Sequence, residues 1–141
     1  MRKTEANGKW RSSRGTAAGC NNFGRYAYNP RFVLTVNEGT GTDTIVRLQT
    51  RGMDPIPALN VSLFSSDASG SLDGKSTPTD SHLNCTSNRG VYVNTLSGVV
   101  TPRTFLRPGC YAIVPSTFKP TEGSFNLTIY STTEISVRQV L

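Results

Sequence analysis

One histidine, three cysteines and nine acidic residues are all that this 141-residue sequence offers to catalysis and metal binding. With His82 as its only imidazole, the chain cannot build a histidine-rich metal centre. Cys20, Cys85 and Cys110 are odd in number, which argues for small apolar packing groups and against a disulfide framework. Charged residues make up only 17%, too few for a coiled coil or a charged tail. Nowhere do 18 apolar residues run together, which removes a membrane-crossing helix. The first twenty residues also lack the apolar centre of a secretory signal. Apolar spacing at i, i+3, i+4 and i+7 is missing throughout, so no helix is expected. These absences predict a single-domain protein, intracellular and cytoplasmic.

What the sequence has in quantity is alternation with a period of two, the mark of half-buried strands. Phe32, Leu34 and Val36 share one face; so do Thr44, Val46 and Leu48, then Leu59, Val61 and Leu63. Val91 and Val93 alternate with Tyr92 and Asn94, and Val99 and Val100 follow. Cys110 to Val114 is an apolar run short enough for a strand buried on both faces. Phe125, Leu127 and Ile129 alternate with polar neighbours, and Ile135 and Val137 close the series. Turn material separates them at Asn37-Glu38-Gly39, Arg51-Gly52, Arg107-Pro108-Gly109 and Thr121-Glu122-Gly123. The pattern predicts an all-β fold, an antiparallel eight-stranded β-sandwich. Residues 1–8 read as a lead-in and 9–141 as one domain. A long polar loop near 65–90 carries few apolar anchors beyond Leu72 and Leu83.

Candidate chemistry is sparse. Cysteine nucleophiles need an oriented imidazole, and His82 sits in the polar loop, where it cannot be held to catalytic tolerance. His82 and Cys85 supply two of the four ligands that a structural zinc requires. For calcium, Asp67, Asp73 and Asp80 are widely spaced and Asp43 and Asp54 lie elsewhere, which leaves open no more than one weak site. The sequons at Asn60, Asn84 and Asn126 are no more than chance gives in a chain this rich in asparagine, serine and threonine. Charge placement says more. Arg2, Lys3, Lys9, Arg11, Arg14, Arg25 and Arg31 face only Glu5 within residues 1–31, and the rest of the chain is balanced, so this segment holds the whole net charge of +6. Lys9, Arg11, Arg14, Arg25 and Arg31 are therefore the candidate residues for an anionic partner, whether phosphate, an anionic membrane or an acidic protein surface. Nucleic acid is not expected: Trp10, Phe23, Tyr26 and Tyr28 lie among the arginines, but these aromatics approach a strand and more plausibly dock into a core.

Two segments carry a family pattern. The first is Gly8-Lys9-Trp10, then Thr16-Ala17-Ala18-Gly19-Cys20-Asn21-Asn22 and Asn29-Pro30-Arg31-Phe32. The second is Leu106 to Pro120, with Gly109, Tyr111, Pro115, Ser116, Thr117, Phe118 and Pro120 at the key positions, followed by Gly123-Ser124-Phe125-Asn126-Leu127. Together they resemble the C2-like β-sandwich domain of calpains, domain III, over essentially the whole chain. Ala18 and Arg31 replace the family's usual glycine and glutamine. The acid-rich loop of conventional calpains has no counterpart, and the final Ile135-Ser136-Val137-Arg138-Gln139-Val140-Leu141 resembles the end of the C-terminal domain of atypical PalB-type calpains. The resemblance implies a non-catalytic regulatory domain whose catalytic cysteine, histidine and asparagine lie on another domain. Its implied partners are the protease core, a protein partner, or anionic phospholipid; no cofactor is implied. The motif residues themselves read as fold-defining. Gly19 and Gly109 suit turns into strands, Pro30, Pro115 and Pro120 suit strand ends, Asn29 suits a turn, and Trp10 caps one end of the sandwich.

Overall fold

Phe125, Leu127 and Ile129 are fully buried along β9 (Gly123–Ser131) while Asn126, Thr128 and Tyr130 stay half-exposed. The same alternation organises β3 (Thr42–Arg51), where Val46 and Leu48 face in. The computed structural model describes residues 1–37, 39–70 and 82–140. Strands β1 (Arg2–Trp10), β9, β3, β6 (Val99–Val100) and β7 (Thr104–Leu106) make one antiparallel sheet, with β3 pairing β9, β6 and β7. The other runs in the order β10 (Ile135–Gln139), β2 (Phe32–Val36), β8 (Gly109–Thr117), β4 (Leu59–Ser66), β5 (Leu83–Thr86). The two pack face to face over Trp10, Phe125, Leu127, Phe32, Leu34, Leu59, Leu63 and Ile113. The all-β sandwich expected from the sequence is the fold. Among the described residues eight strands are four residues or longer, and β6 and β7 are short additions on β3.

Residues 1–8 are not a lead-in. From Arg2 they form β1, paired with β9 along its full length from Arg2↔Ser131 to Trp10↔Gly123. Its inward positions are Thr4, Ala6 and Gly8, small because β9 places Ile129, Leu127 and Phe125 opposite them. A methyl group on Gly8 would stand 2.5 Å from Phe125 Cζ, so the missing side chain is what admits the ring. Trp10 closes the strand. It is 1% exposed, its ring centre is 4.5 Å from that of Phe125, and its indole N–H donates to the Pro115 carbonyl at 3.2 Å, linking the two sheets.

Four further expectations need correction. Of the aromatics expected to dock into a core, Trp10 and Tyr26 are buried but Phe23 and Tyr28 are exposed. Pro115 lies inside β8, not at a strand end. Its carbonyl points away from β4 to Trp10, and its nitrogen points the same way, beyond Phe32↔Ile113 where β2 stops, so no ladder bond is lost. Residues 91–94 are not a strand: Val93 makes a single bridge to Leu59, and Val91 is exposed. The polar loop near 65–90 is shorter than expected, because β4 runs to Ser66 and Leu83–Thr86 pairs with it as β5. Its centre, with Leu72, Asp73, Pro78 and Asp80, lies outside the described residues.

The outer face of the β2–β8–β4 sheet is covered rather than open. After a 3-10 turn at Ser12–Arg14 that buries no side chain, residues 16–31 cross it with two more, Asn21–Phe23 and Tyr26–Tyr28. Tyr26 packs beneath them on Phe64 and Val114. The segment is fastened by the Cys20 amide donating to Phe118 O (3.0 Å) and by buried Asn29, whose Nδ2 donates to Gly19 O (2.8 Å) and Tyr26 O (3.0 Å). Gly19 has φ +75°, and a Cβ there would meet Pro120 Cδ at 2.8 Å, which is why the Gly19–Pro120 approach requires glycine.

Candidate functional site

Where β1 ends, Arg11 enters a turn that is closed on itself. Thr16 Oγ1 accepts the Arg11 amide at 2.9 Å, the Thr16 amide donates to Arg11 O at 3.0 Å, and Gly15 (φ +71°) returns its N–H to Ser12 O at 3.1 Å. Arg11 and Arg14 are thus presented from a fixed backbone. The register of the sheet brings two more cations to this turn. Lys9 and Arg51 both pair with Ser124, so they flank it in one cross-strand row about 10 Å wide. Lys9, Arg11, Arg14 and Arg51 line one cleft of about 560 Å³, with Asn7, Gly8, Thr16, Ser124 and Gln139 as its other walls. Among the described residues no acidic side chain lines it, and none of the four cations has an ion-pair partner.

Of the five basic residues singled out from the sequence, the structure brings three together. Arg25 points elsewhere: its guanidinium lies over the Tyr28 ring, 4.5 Å from the centroid, beside Gly15. Arg31 precedes β2, half-buried, with its Nε shielded and without a hydrogen-bond partner; desolvation pulls its pKa below the ordinary arginine value. Sequence reading missed Arg51. It stands at the end of a distant strand, inside the charge-balanced part of the chain, and only the β3–β9–β1 register carries it to the cleft.

A second cleft of about 720 Å³ adjoins the first and shares Arg51 and Ser124 with it. Its apolar walls are Met53, Pro55, Pro57, Ala58 and Phe118, the last 40% exposed. Met53 covers Gly123 so closely that a Cβ there would lie 2.3 Å from its sulfur. Phe118 is held on both sides, its amide donating to Ala58 O at 2.9 Å and its carbonyl accepting from Cys20. The charges here balance: Arg51 and Lys119 face Asp54 and Glu122. Glu122 is already engaged, its Oε1 accepting the Ser12 amide at 2.9 Å.

The thiols are poorly placed for nucleophilic chemistry. Cys20 and Cys85 are buried, and burial pushes the Cys85 pKa up, the reverse of what a reactive thiolate needs. Cys110 lies 3.9 Å from the Thr35 hydroxyl. Asn60 is fully buried, its amide donating to Thr86 Oγ1 (2.9 Å) and Ser87, so that sequon cannot be reached by a glycosyltransferase. Among the described residues no three His, Cys, Asp or Glu side chains gather as metal ligands, and no helix is long and apolar enough to cross a membrane.

Residues 6–130 match the family model for the calpain large subunit, domain III. The nematode protein calpain clp-4 of Caenorhabditis elegans is 33% identical over 142 residues, which takes in 88% of this chain and 19% of that protein. The calpain-like protease palB/RIM13 of Cryptococcus neoformans var. neoformans serotype D is 28% identical over 134 residues, 95% of this chain and 15% of its own length. The chain therefore spans less than a fifth of the relatives it matches.

Proposed function

The chain belongs to the calpain domain III family, and from that premise we propose that it is a non-catalytic regulatory module of a calpain-like cysteine protease. In this reading it docks against the protease core or recruits a protein partner, inside the cell. The family match over 6–130 carries the reading. The buried thiols agree with catalysis residing on another domain, and the two adjoining clefts offer a rigid contact surface on this one. Calorimetric titration of this chain against the papain-like core of its own parent polypeptide tests it. Saturable binding, or a changed peptidase rate on adding the chain, is expected. A core that does neither would overturn docking to the core.

Anionic phospholipid is the second reading, favoured by the convergence of Lys9, Arg11, Arg14 and Arg51. Each basic side chain near an anionic surface contributes about 1 kcal/mol, provided the side chains face the same way. Arg25 and Arg31 do not join the other three, which weakens this reading relative to docking. Co-sedimentation with phosphatidylserine vesicles, reversed by salt, would favour it.

A further inference from the structure

We propose that the end of the sandwich where the two clefts meet binds an acidic peptide segment carrying an apolar anchor residue. The proposal rests on the docking role and names the chemistry of the segment that docks. Its carboxylates lie along Lys9, Arg11, Arg14 and Arg51, and its anchor enters between Met53, Pro55 and Phe118.

Charge and shape assign the two halves. Among the described residues the first cleft holds four cations with no lining acid and no ion-pair partner, so it is matched to a counter-charge brought by whatever binds there. Three of the four are arginines, whose planar forks suit carboxylates, held on a hydrogen-bonded turn and at a strand end. The second cleft is charge-balanced, with Asp54 and Glu122 against Arg51 and Lys119, and its exposed surface is mainly carbon. Acidic residues thus gain nothing there, whereas an apolar side chain does. Because Arg51 and Ser124 belong to both, one extended segment can occupy both without a break.

The walls are preformed. Phe118 is fixed through Ala58 and Cys20, Met53 lies over Gly123, and two prolines stiffen the β3–β4 connection, so little ordering entropy is lost on binding. The apolar half selects a peptide over a bilayer: the four cations are exposed, but the space between Met53, Pro55 and Phe118 takes a side chain that enters the cleft, which an extended chain supplies and a flat headgroup layer does not.

The test is fluorescence anisotropy of a short glutamate-rich peptide with one central leucine, titrated with the full chain. It is run beside the same peptide with serine for leucine, inorganic phosphate as competitor, and vesicles with and without phosphatidylserine. Binding that weakens with salt is expected, with a tighter leucine peptide than serine peptide. Arg51→Glu and Arg11→Glu should each weaken it more than about tenfold, and Arg11→Lys should recover most of the loss. Phe118→Ala should reduce the leucine peptide to the level of the serine peptide. Amide spectra of each variant confirm the fold, and the exposed Arg11 and Arg51 can be altered without opening the core. Equal affinity for both peptides, displacement by phosphate at matched charge, or vesicle binding without peptide binding would each overturn the proposal. Core binding that survives Arg51→Glu and Phe118→Ala leaves the docking role standing and removes this site. Peptide binding without core binding keeps the site and removes docking to the core.

Discussion

The two sheets of this sandwich have the same core-facing side and opposite fates on the outside. On the β1–β9–β3 sheet the outer positions Lys3, Glu5, Asn7, Ile45, Gln49, Thr128 and Tyr130 stay exposed or half-exposed, as expected for an antiparallel sheet with one wet face. On the β2–β8–β4 sheet the outer positions Val33, Asn60, Ser62, Phe64, Ala112, Val114 and Ser116 are all buried. The cover is the chain between Thr16 and Arg31 together with Ser87 and Tyr92, and Gly70 lies against Val33. The polar groups beneath it are joined in turn: Ser62 Oγ to Asn60 Oδ1 (2.8 Å) and Thr86 Oγ1 (2.7 Å), and Tyr92 Oη to Ser116 Oγ (2.8 Å). The segment that holds the net charge is therefore two things at once. Its middle is a structural lid on one sheet, and its start, at Lys9 to Arg14, is the edge of a charged cleft.

The sharpest break in that comparison is Tyr26→Ala against Tyr130→Ala. Tyr26 is 3% exposed and packs edge-on to Phe64, with ring centres 6.1 Å apart, so truncation opens a cavity under the lid and should cost about 3–5 kcal/mol. In a domain of this size that lowers the melting temperature by roughly 10–20 °C. Tyr130→Ala on the wet face should cost about 1 kcal/mol or less, and equal losses would refute the distinction. Next in size is Asn29→Ala. It leaves the Gly19 carbonyl without its buried donor, while the Tyr26 carbonyl keeps the backbone amide of residue 29, and denaturant titration should show a loss of about 2 kcal/mol.

How legible the molecule is from its sequence follows the same division. β8 and β9 are readable because their core residues are large and their partners ordinary. β1 escapes because hydropathy cannot register a strand whose inward residues, Thr4, Ala6 and Gly8, are small so that β9 can be large. Val91 and Val93 mislead in the opposite sense: they alternate, yet belong to a covering loop that touches β4 through one bridge. Pro115 reads as a strand end because its missing N–H is visible in sequence, while the end of neighbouring β2 is not. The cleft was half legible. Charge asymmetry found Lys9, Arg11 and Arg14, but nothing short of the register could separate them from Arg25 and Arg31 or add Arg51.

A smaller pair of substitutions sharpens the split within the basic segment. Arg25→Ala removes a cation over the Tyr28 ring and should cost about 0.5–1 kcal/mol, with peptide affinity at the cleft unchanged. Arg14→Ala should do the reverse, changing stability by no more than about 0.5 kcal/mol while weakening the peptide complex. Matched thermal melts and anisotropy curves on both variants decide it. If both lose affinity equally, the segment acts as one diffuse charge and the lid and the cleft are not separate.

The smallest effect at neutral pH is the most informative about the lid. Tyr26 Oη is buried beside the Ser62 and Ser116 hydroxyls, with neither in good hydrogen-bonding geometry to it. Tyr26→Phe should therefore be neutral or slightly stabilising, by up to about 1 kcal/mol, since it removes an unsatisfied group and keeps the ring. Burial holds the native Tyr26 phenol well above its ordinary value of 10.0, and burial likewise raises Tyr92. The unfolded chain releases these protons near pH 10 while the native chain keeps them, so the contribution is complete below that pH and is lost as pH rises beyond it. Urea midpoints followed from neutral pH to above 10 should fall for the wild-type chain and fall less for Tyr26→Phe, the remaining slope belonging to Tyr92, Tyr111 and Cys85, whose pKa values burial also raises. Parallel alkaline limbs would mean that Tyr26 ionises as freely as in the unfolded chain and that water already reaches beneath the lid. The two outer faces would then differ only in degree.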